Sequence, residues 1–148
     1  MSRRELLPIP PIDTATDPVQ SAADLRQRWR ALMGPLGFGQ RLLWICFVGP
    51  DRCMIKAFSQ VPLGSGANAV LAESVVSGLQ DVLPDFPEGT TVALLLTRPG
   101  TGPISQLDRQ WSTLLTDLAA EFGVALEPIF RANDETLVQV EPTLEAAG

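Results

Sequence analysis

The chain of 148 residues contains no histidine. This absence removes the imidazole general base, the Ser-His pair of nucleophilic catalysis and every histidine-ligated metal site. Two cysteines, Cys46 and Cys53, are too few for a disulfide framework and lack the Cys-x2-Cys spacing of a zinc site. Without a histidine base and in an apolar strand setting, neither thiol is an activated nucleophile. We interpret both as structural thiols beside one predicted hairpin.

Long apolar runs are also missing. The longest one, Leu42 to Val48, is far shorter than the roughly 20 residues that cross a bilayer. Arg3 and Arg4 are followed by proline-rich sequence, whereas a signal peptide continues with an apolar core. We therefore expect a cytoplasmic protein that does not act on or in a membrane.

The net charge of −6 argues against nucleic acid as a partner. The charge is unevenly distributed, because residues 1–60 carry eight basic and five acidic side chains, whereas residues 61–148 carry three and twelve. The net charge is therefore +3 in the first segment and −9 in the second.

Composition predicts one folded domain over residues 17–142. Residues 1–16 are polar and rich in proline, which is typical of an extended arm, and residues 143–148 are predicted to be a loose tail.

Hydrophobic periodicity and turn residues predict eight elements in the order α-β-β-α-β-α-β-β. The predicted helices cover 17–33, 68–83 and 105–122, and the predicted strands cover 41–49, 53–61, 91–97, 124–130 and 137–141. This order favours a single-domain, three-layer-like α/β fold with a mixed sheet, helices on its faces and one parallel β-α-β crossover.

Several details accompany this prediction. Asp17-Pro18 should begin the first helix, and the second helix should bury Leu71, Val75, Leu79 and Val82. Strands 41–49 and 91–97 should be interior because their apolar residues are consecutive. Pro128 should mark an edge strand. Trp29, Trp44 and Trp111 fall on apolar faces and should pack in the core.

The first helix carries Arg26, Arg28 and Arg30 away from its apolar face. We expect this arginine face to be solvated, as most charged faces are. It is also the best sequence candidate for binding an acidic protein partner, including the acidic half of another copy.

Ser105 and Asp108 open the third helix with the Ser-x-x-acid spacing of a capping box. Ser105 should accept a hydrogen bond from the amide of Asp108, whose carboxylate lies near the positive end of the helix dipole. This local role explains both residues without a metal.

The segment VALLLTRPGTGPISQLD, together with the element order, resembles the JAB/MPN metal-hydrolase superfamily, in particular its bacterial RadC-like branch. In that family a strand ends in His-x-His-Pro, a Gly/Pro-rich loop follows, and Ser-x-x-Asp opens a helix. Leu96 and Arg98 stand where the two histidines would be. The frame is otherwise kept, with the loop one residue shorter, by Pro99, Gly100, Pro103, Ser105 and Asp108.

The resemblance covers about residues 41–141 and implies a pseudo-enzyme. A catalytic zinc needs three protein ligands and an open position, and here two ligands are replaced. Arg98 would repel a cation. The glutamate that such enzymes carry on the second hairpin strand has no counterpart among residues 53–58. We therefore expect no catalytic residue, no metal and no cofactor, and we hypothesise that Arg98 pairs with Asp108 in the space of the metal.

Superfamily members without the metal motif commonly act through protein contacts, so the resemblance implies an interaction or scaffold module. Its candidate surfaces are the arginine face, the loop from Arg98 to Pro103, and the edge strand near Pro128.

Two alternatives stay open. A cytidine-deaminase-like fold has a similar element order, but its His-x-Glu and Pro-Cys-x-x-Cys motifs are absent. The second alternative is a binder of a nucleotide or another phosphorylated ligand. Gly64 to Ala69 fits the pattern G-x-G-x-x-A before a helix, and Gly64, Gly66 and Arg98 would then form the site. Pro62 and the hairpin origin of the preceding strand weaken this alternative.

Overall fold

The computed structural model describes residues 18–33 and 38–140. Within these ranges, three helices and five strands follow one another in the predicted order. The helices are α1 (Ala22–Met33), α2 (Ala69–Val82, extended by a 3-10 turn at Leu83–Asp85) and α3 (Gln106–Phe122); the strands are β1 (Leu42–Val48), β2 (Met54–Pro62), β3 (Thr91–Thr97), β4 (Phe130–Ala132) and β5 (Leu137–Gln139). The protein is therefore of the mixed α/β class.

The five strands form one sheet in the order β2-β1-β3-β4-β5. β1 is antiparallel to both β2 and β3, and β4 is antiparallel to β5. β3 and β4 are parallel neighbours joined through α3, which is the predicted crossover. The interior positions predicted for β1 and β3 are confirmed, because each lies between two other strands.

Two hydrophobic cores lie on opposite faces of this sheet. Because side chains alternate along a strand, Val92, Leu94 and Leu96 of β3 pack towards α2 and α3, whereas Ala93 and Leu95 pack towards α1. Burial on both faces explains why β3 reads as a continuous apolar run. The predicted core positions of Trp29 and Trp111 are confirmed, and Trp44 is partly buried on the α1 face.

The first helix begins later than predicted. α1 starts at Ala22 because Ser21 and Asp24 cap it: Ser21 Oγ accepts from the amide of Asp24 at 3.1 Å, and Asp24 Oδ2 accepts from the amide of Gln20 at 2.9 Å. Pro18 lies before the helix. The prediction of a start at residues 17–18 is therefore wrong.

The buried face of α2 is rotated relative to the prediction. Ala72, Val76 and Leu79 are buried, whereas Val82 is 39% exposed. The small side chain of Ala72 allows α2 to approach the sheet on this side. The predicted face was wrong because the spacing of the larger apolar residues alone does not include Ala72. Asn68, the predicted first residue of this helix, is its N-cap, since Asn68 Oδ1 accepts from the amide of Leu71 at 3.0 Å.

The strand predicted at 124–130 is displaced. β4 covers only Phe130–Ala132 and is interior, because β5 covers its outer side. Pro128 precedes β4 in a segment that follows β3 through the Val92–Leu126 bridge. The edge strand expected near Pro128 is therefore absent from the described sheet, whose edges are β2 and β5.

Two predictions concern residues outside the described ranges, the arm at 1–16 and the tail at 143–148.

Candidate functional site

Arg98 and Asp108, two residues of the segment that resembles the JAB/MPN motif, are in contact with each other. Arg98 follows the last residue of β3, and Asp108 lies in the first turn of α3; they are 8% and 3% exposed. Arg98 Nε donates to both carboxylate oxygens at 3.1 and 3.2 Å, and Nη2 donates to Oδ2 at 3.2 Å. The hypothesis that these two residues pair is confirmed.

Ser105 completes the setting of Asp108. Ser105 Oγ accepts from the amide of Asp108 at 3.1 Å, and Asp108 Oδ2 accepts from the amide of Ser105 at 2.9 Å. The predicted capping box is thus confirmed. Asp108 consequently serves two neighbours at once, the helix end and the guanidinium of Arg98.

Arg131, on β4, is the residue of this centre that sequence reasoning missed. It stands beside Leu96 in the parallel β3–β4 register and is 1% exposed. Its Nε lies 3.6 Å from Asp108 Oδ2, and its Nη1 donates to Thr136 Oγ1 at 3.3 Å. The available signal was a lone arginine between Phe130 and Ala132, two residues that pack against α1.

A turn between β4 and β5 holds the loop that follows Arg98. The amide of Gly100 donates to Asp134 Oδ2 at 2.8 Å, and the carbonyl of Gly100 accepts from the amide of Asp134 at 2.8 Å. The carbonyl of Gly102 accepts from Asn133 Nδ2 at 3.0 Å. Both glycines have positive φ, 99° and 98°, which side chains rarely adopt. This tie fixes the loop over the Arg98–Asp108 pair.

The electrostatics of the centre follow from two guanidinium groups around one carboxylate. Burial by itself raises the pKa of Asp108, but hydrogen bonds from Arg98 and from Ser105 outweigh it and hold that pKa below its usual value. Burial lowers the pKa of Arg131, and the charge of Asp108 opposes that shift. Asp108 is therefore fixed as a carboxylate.

The residues present do not fit the metal that the JAB/MPN resemblance implies. Leu96 has no ligand atom and is 3% exposed within the core. Arg98 contacts both oxygens of Asp108, so a cation would have to displace a buried guanidinium. No group of three or more Cys, Asp or Glu side chains in residues 18–33 and 38–140 could hold a metal ion.

The glycines proposed for a phosphorylated ligand lie on a separate loop. Gly64, with φ of +73°, and Gly66 are exposed ahead of α2. The donors of Arg98 are instead directed at Asp108 and at the carbonyls of Pro99 and Pro103. In the described part of the chain, no hydrogen bond joins Arg98 to that loop, and the ligand-binding role of the three residues stays a prediction.

The arginine face of α1 is not solvated as expected. Arg30 is 3% exposed, Arg28 is half-buried, and Arg26 Nε donates to the carbonyl of Leu137 at 2.6 Å. The expectation fails because α1 lies beside β5, which turns part of this face inwards. Partner binding by these three residues stays a prediction, and Arg30 offers little surface for it.

Both cysteines are free thiols. Cys46 packs in the α1-side core, donates to the carbonyl of Ile55 at 3.1 Å, and has a pKa raised by burial to about 11. A thiol with such a pKa is a poor nucleophile, which supports a structural role for Cys46.

Fold and site together define a mixed α/β domain whose strand-end centre is an internal Arg–Asp–Arg cluster. Comparisons of the chain with protein-family models, with curated proteins and with solved structures find no match. No helix in the described ranges has the length and apolar character needed to span a bilayer.

Proposed function

We propose that the protein is a non-catalytic domain of degenerate JAB/MPN-like fold that works through contacts with other proteins. One observation carries the proposal: Asp108, the acid that such a hydrolase would direct at its metal, is bound on both oxygens by the buried guanidinium of Arg98.

The same geometry argues against acid–base catalysis by Asp108. A general base works best with a pKa near the working pH and with access to the substrate. Asp108 is 3% exposed, lies within 3.6 Å of a second guanidinium, and has a lowered pKa. Its hydrogen-bonding capacity is used by Arg98 and by the amide of Ser105. The centre is therefore better suited to fixing the loop and the start of α3 than to chemistry.

Zinc titration by calorimetry tests the proposal. The wild-type protein should show no stoichiometric binding. A double variant, Leu96→His with Arg98→His, should gain it, because positions 96 and 98 share one face of the strand end and Asp108 supplies a third ligand. Circular dichroism must show that the variant is folded.

The two outcomes separate the parts of the proposal. Stoichiometric zinc on the wild-type protein would overturn the non-catalytic assignment. A folded double variant without zinc affinity would contradict the JAB/MPN-like geometry, since the restored ligands would then not converge.

The alternative, a binder of a phosphorylated ligand, has one observation in its favour: the Gly64–Gly66 loop is exposed ahead of a helix N-terminus. It predicts that a nucleotide stabilises the fold, by about 2.7 kcal/mol at roughly a hundredfold excess over its dissociation constant. A thermal-shift series with nucleotides distinguishes it from an interaction domain, which should show no such effect.

A further inference from the structure

An open groove runs between α2 and the β1–β2 half of the sheet. Its volume is about 530 Å³, within the range of ligand and peptide pockets. The strand wall is formed by Ile45, Phe47, Ser59 and Val61, and the helix wall by Ser74, Val75, Gly78, Leu79 and Val82, with Asp85 and Phe86 at one end. Most of this lining is apolar, so the groove offers an occupant hydrophobic contact.

Two features keep the groove open. β2 is an edge strand, so the sheet ends at this wall. On the helix wall a Cβ at Gly78 would meet no atom within 4 Å, and Val82 is 39% exposed at the rim. The rings of Phe47 and Phe86, which both line the groove, stack with centroids 4.3 Å apart. The groove thus has a stacked aromatic pair in its lining and space beside its helix.

The surroundings of the groove carry negative charge. Asp85 lines it, and Asp81 lies on the same helix face as Ser74 and Gly78 because the three are four and three residues apart. Both carboxylates belong to exposed residues. Residues 69–97, from the start of α2 to the end of β3, contain four acidic side chains and no lysine or arginine, and β2 carries one basic residue, Lys56. An occupant that combines apolar anchors with flanking positive charge therefore matches this surface.

We propose that this groove binds the apolar face of a basic amphipathic helix supplied by a partner protein. The inference rests on the proposed interaction function and names its surface and the chemistry of its partner. Apolar anchors at helical spacing fill the groove, and lysine or arginine beside them meets Asp81 and Asp85. Two copies of the chain joined through α2 would instead bring the same carboxylates together, which disfavours that arrangement.

A synthetic peptide of about 18 residues, built from leucine and lysine in an amphipathic helical pattern, is the probe. Fluorescence anisotropy measures its binding to the full-length protein. Two matched peptides control for chemistry, one with every lysine replaced by glutamate and one with the same composition scrambled. We expect binding of the first peptide alone, weakening as salt rises.

A variant at Gly78 locates the site. Gly78→Leu should fill the groove and weaken binding by about tenfold or more, whereas Ala69→Leu, at an exposed position of α2 outside the groove, should leave affinity within about twofold. Gly78 is a helical glycine at which an added Cβ meets no neighbouring element, so Gly78→Leu should raise the melting temperature, and its loss of binding is then not a loss of fold. Asp81→Asn with Asp85→Asn should weaken binding and flatten its salt dependence, whereas Asp117→Asn, exposed on α3, should not.

Each result decides one claim. Equal binding of the acidic or scrambled peptide, or unchanged affinity in Gly78→Leu, would overturn the groove assignment. The assignment also fails if another occupant fills the groove. Sedimentation would show a second copy as a dimer of the protein alone that Gly78→Leu dissociates. Binding of the peptide only after deletion of residues 1–16 would show that this segment of the chain occupies the groove. These results leave the zinc test untouched, so failure of the surface and failure of the proposed function are distinguishable.

Discussion

Asp108 is the residue on which the buried guanidinium groups of Arg98 and Arg131 converge. It accepts from Arg98 and from the amide of Ser105 and faces Arg131. Asp108→Ala leaves two buried guanidinium groups without their carboxylate, and we expect the free energy of unfolding to fall by about 3–5 kcal/mol. Arg98→Ala should lower it less, because Asp108 keeps Arg131 and Ser105. Urea denaturation measures both.

Asp117→Ala, at an exposed position of α3, is the matched control and should change stability little. An Arg98→Ala variant as stable as the wild type would contradict a structural role for the pair. The same role would be contradicted if Asp108→Ala lowered the free energy of unfolding no more than Arg98→Ala does.

Stability should depend on pH through two carboxylates. Glu127 accepts from Arg52 at 2.9 Å through both of its oxygens and from Thr91 Oγ1 at 2.6 Å; the bonds from Arg52 lower its pKa more than burial raises it. The pKa of Asp108 is also lowered. Because both pKa values are lower in the folded protein than in the unfolded chain, the two ionised carboxylates stabilise the fold. This stabilisation is complete at a pH above the ordinary pKa values of 4.5 for Glu127 and 3.8 for Asp108, and it is lost as the pH falls through the lower folded-state pKa values.

We therefore expect the urea midpoint to fall below about pH 5 and to change little between about pH 6 and 8, where the missing histidines would have titrated. Glu127→Gln should make the acid decline shallower. A midpoint that rises on acidification, or an equally steep decline in Glu127→Gln, would contradict this assignment.

The two acids differ in how far sequence could reveal their roles. The spacing of Ser105 and Asp108 predicted a capping box, and the short loop after β3 placed Arg98 near it. Arg131 was out of reach because its role depends on β4 lying beside β3, a contact between residues 35 positions apart in the chain. Glu127 was missed because its partner Arg52 belongs to the hairpin turn.

At the scale of elements, we expect loss of the α2 cap and loss of the α3 cap to lower stability by different amounts. Asn68→Ala removes one side-chain cap from α2, at an exposed position, and should lower stability by about 1 kcal/mol. Ser105→Ala should lower it more, because the hydroxyl caps α3 and also holds the backbone that donates to Asp108. Thermal and urea unfolding of both variants, with Ser74→Ala as the control on α2, measure the difference.

Equal effects of Asn68→Ala and Ser105→Ala would show that the α3 cap acts locally and is not coupled to the Arg98–Asp108 pair. No effect of Asn68→Ala would mean that the amide of Leu71 finds water as readily as it finds the side chain.

Element order was predictable from sequence, whereas several boundaries were not. β3 and α3 were predicted to within a residue because a long apolar run and a capped amphipathic stripe are unambiguous signals. β4 was misplaced because only three residues pair, and the apolar segment before it follows β3 with a single bridge. The start of α1 was predicted too early because Asp17-Pro18 has the sequence pattern of a helix start. The residues that cap the helix are Ser21 and Asp24.

At the scale of the whole molecule, the sheet joins two cores that would otherwise be separate. Side chains alternate along β3, so Leu94 lies in one core and Leu95 lies in the other. If the helices on one face of the sheet unfold, one face of β3 becomes exposed to solvent while its other face is still covered. Glu73 and Asp81 of α2 belong to one of the two helical layers, and the arginines of α1 belong to the other.

We expect the two layers to unfold together. Trp29 lies in the core on the α1 side and Trp111 in the core on the α2 and α3 side, at 0% and 2% exposure. Two variants each keep one of them: Trp44→Phe with Trp111→Phe, and Trp44→Phe with Trp29→Phe. In each, the urea transition followed by tryptophan fluorescence should coincide with that followed by far-ultraviolet circular dichroism. If Trp29 fluorescence changes at lower urea than the dichroism of the same variant, α1 separates first and the sheet does not couple the two cores.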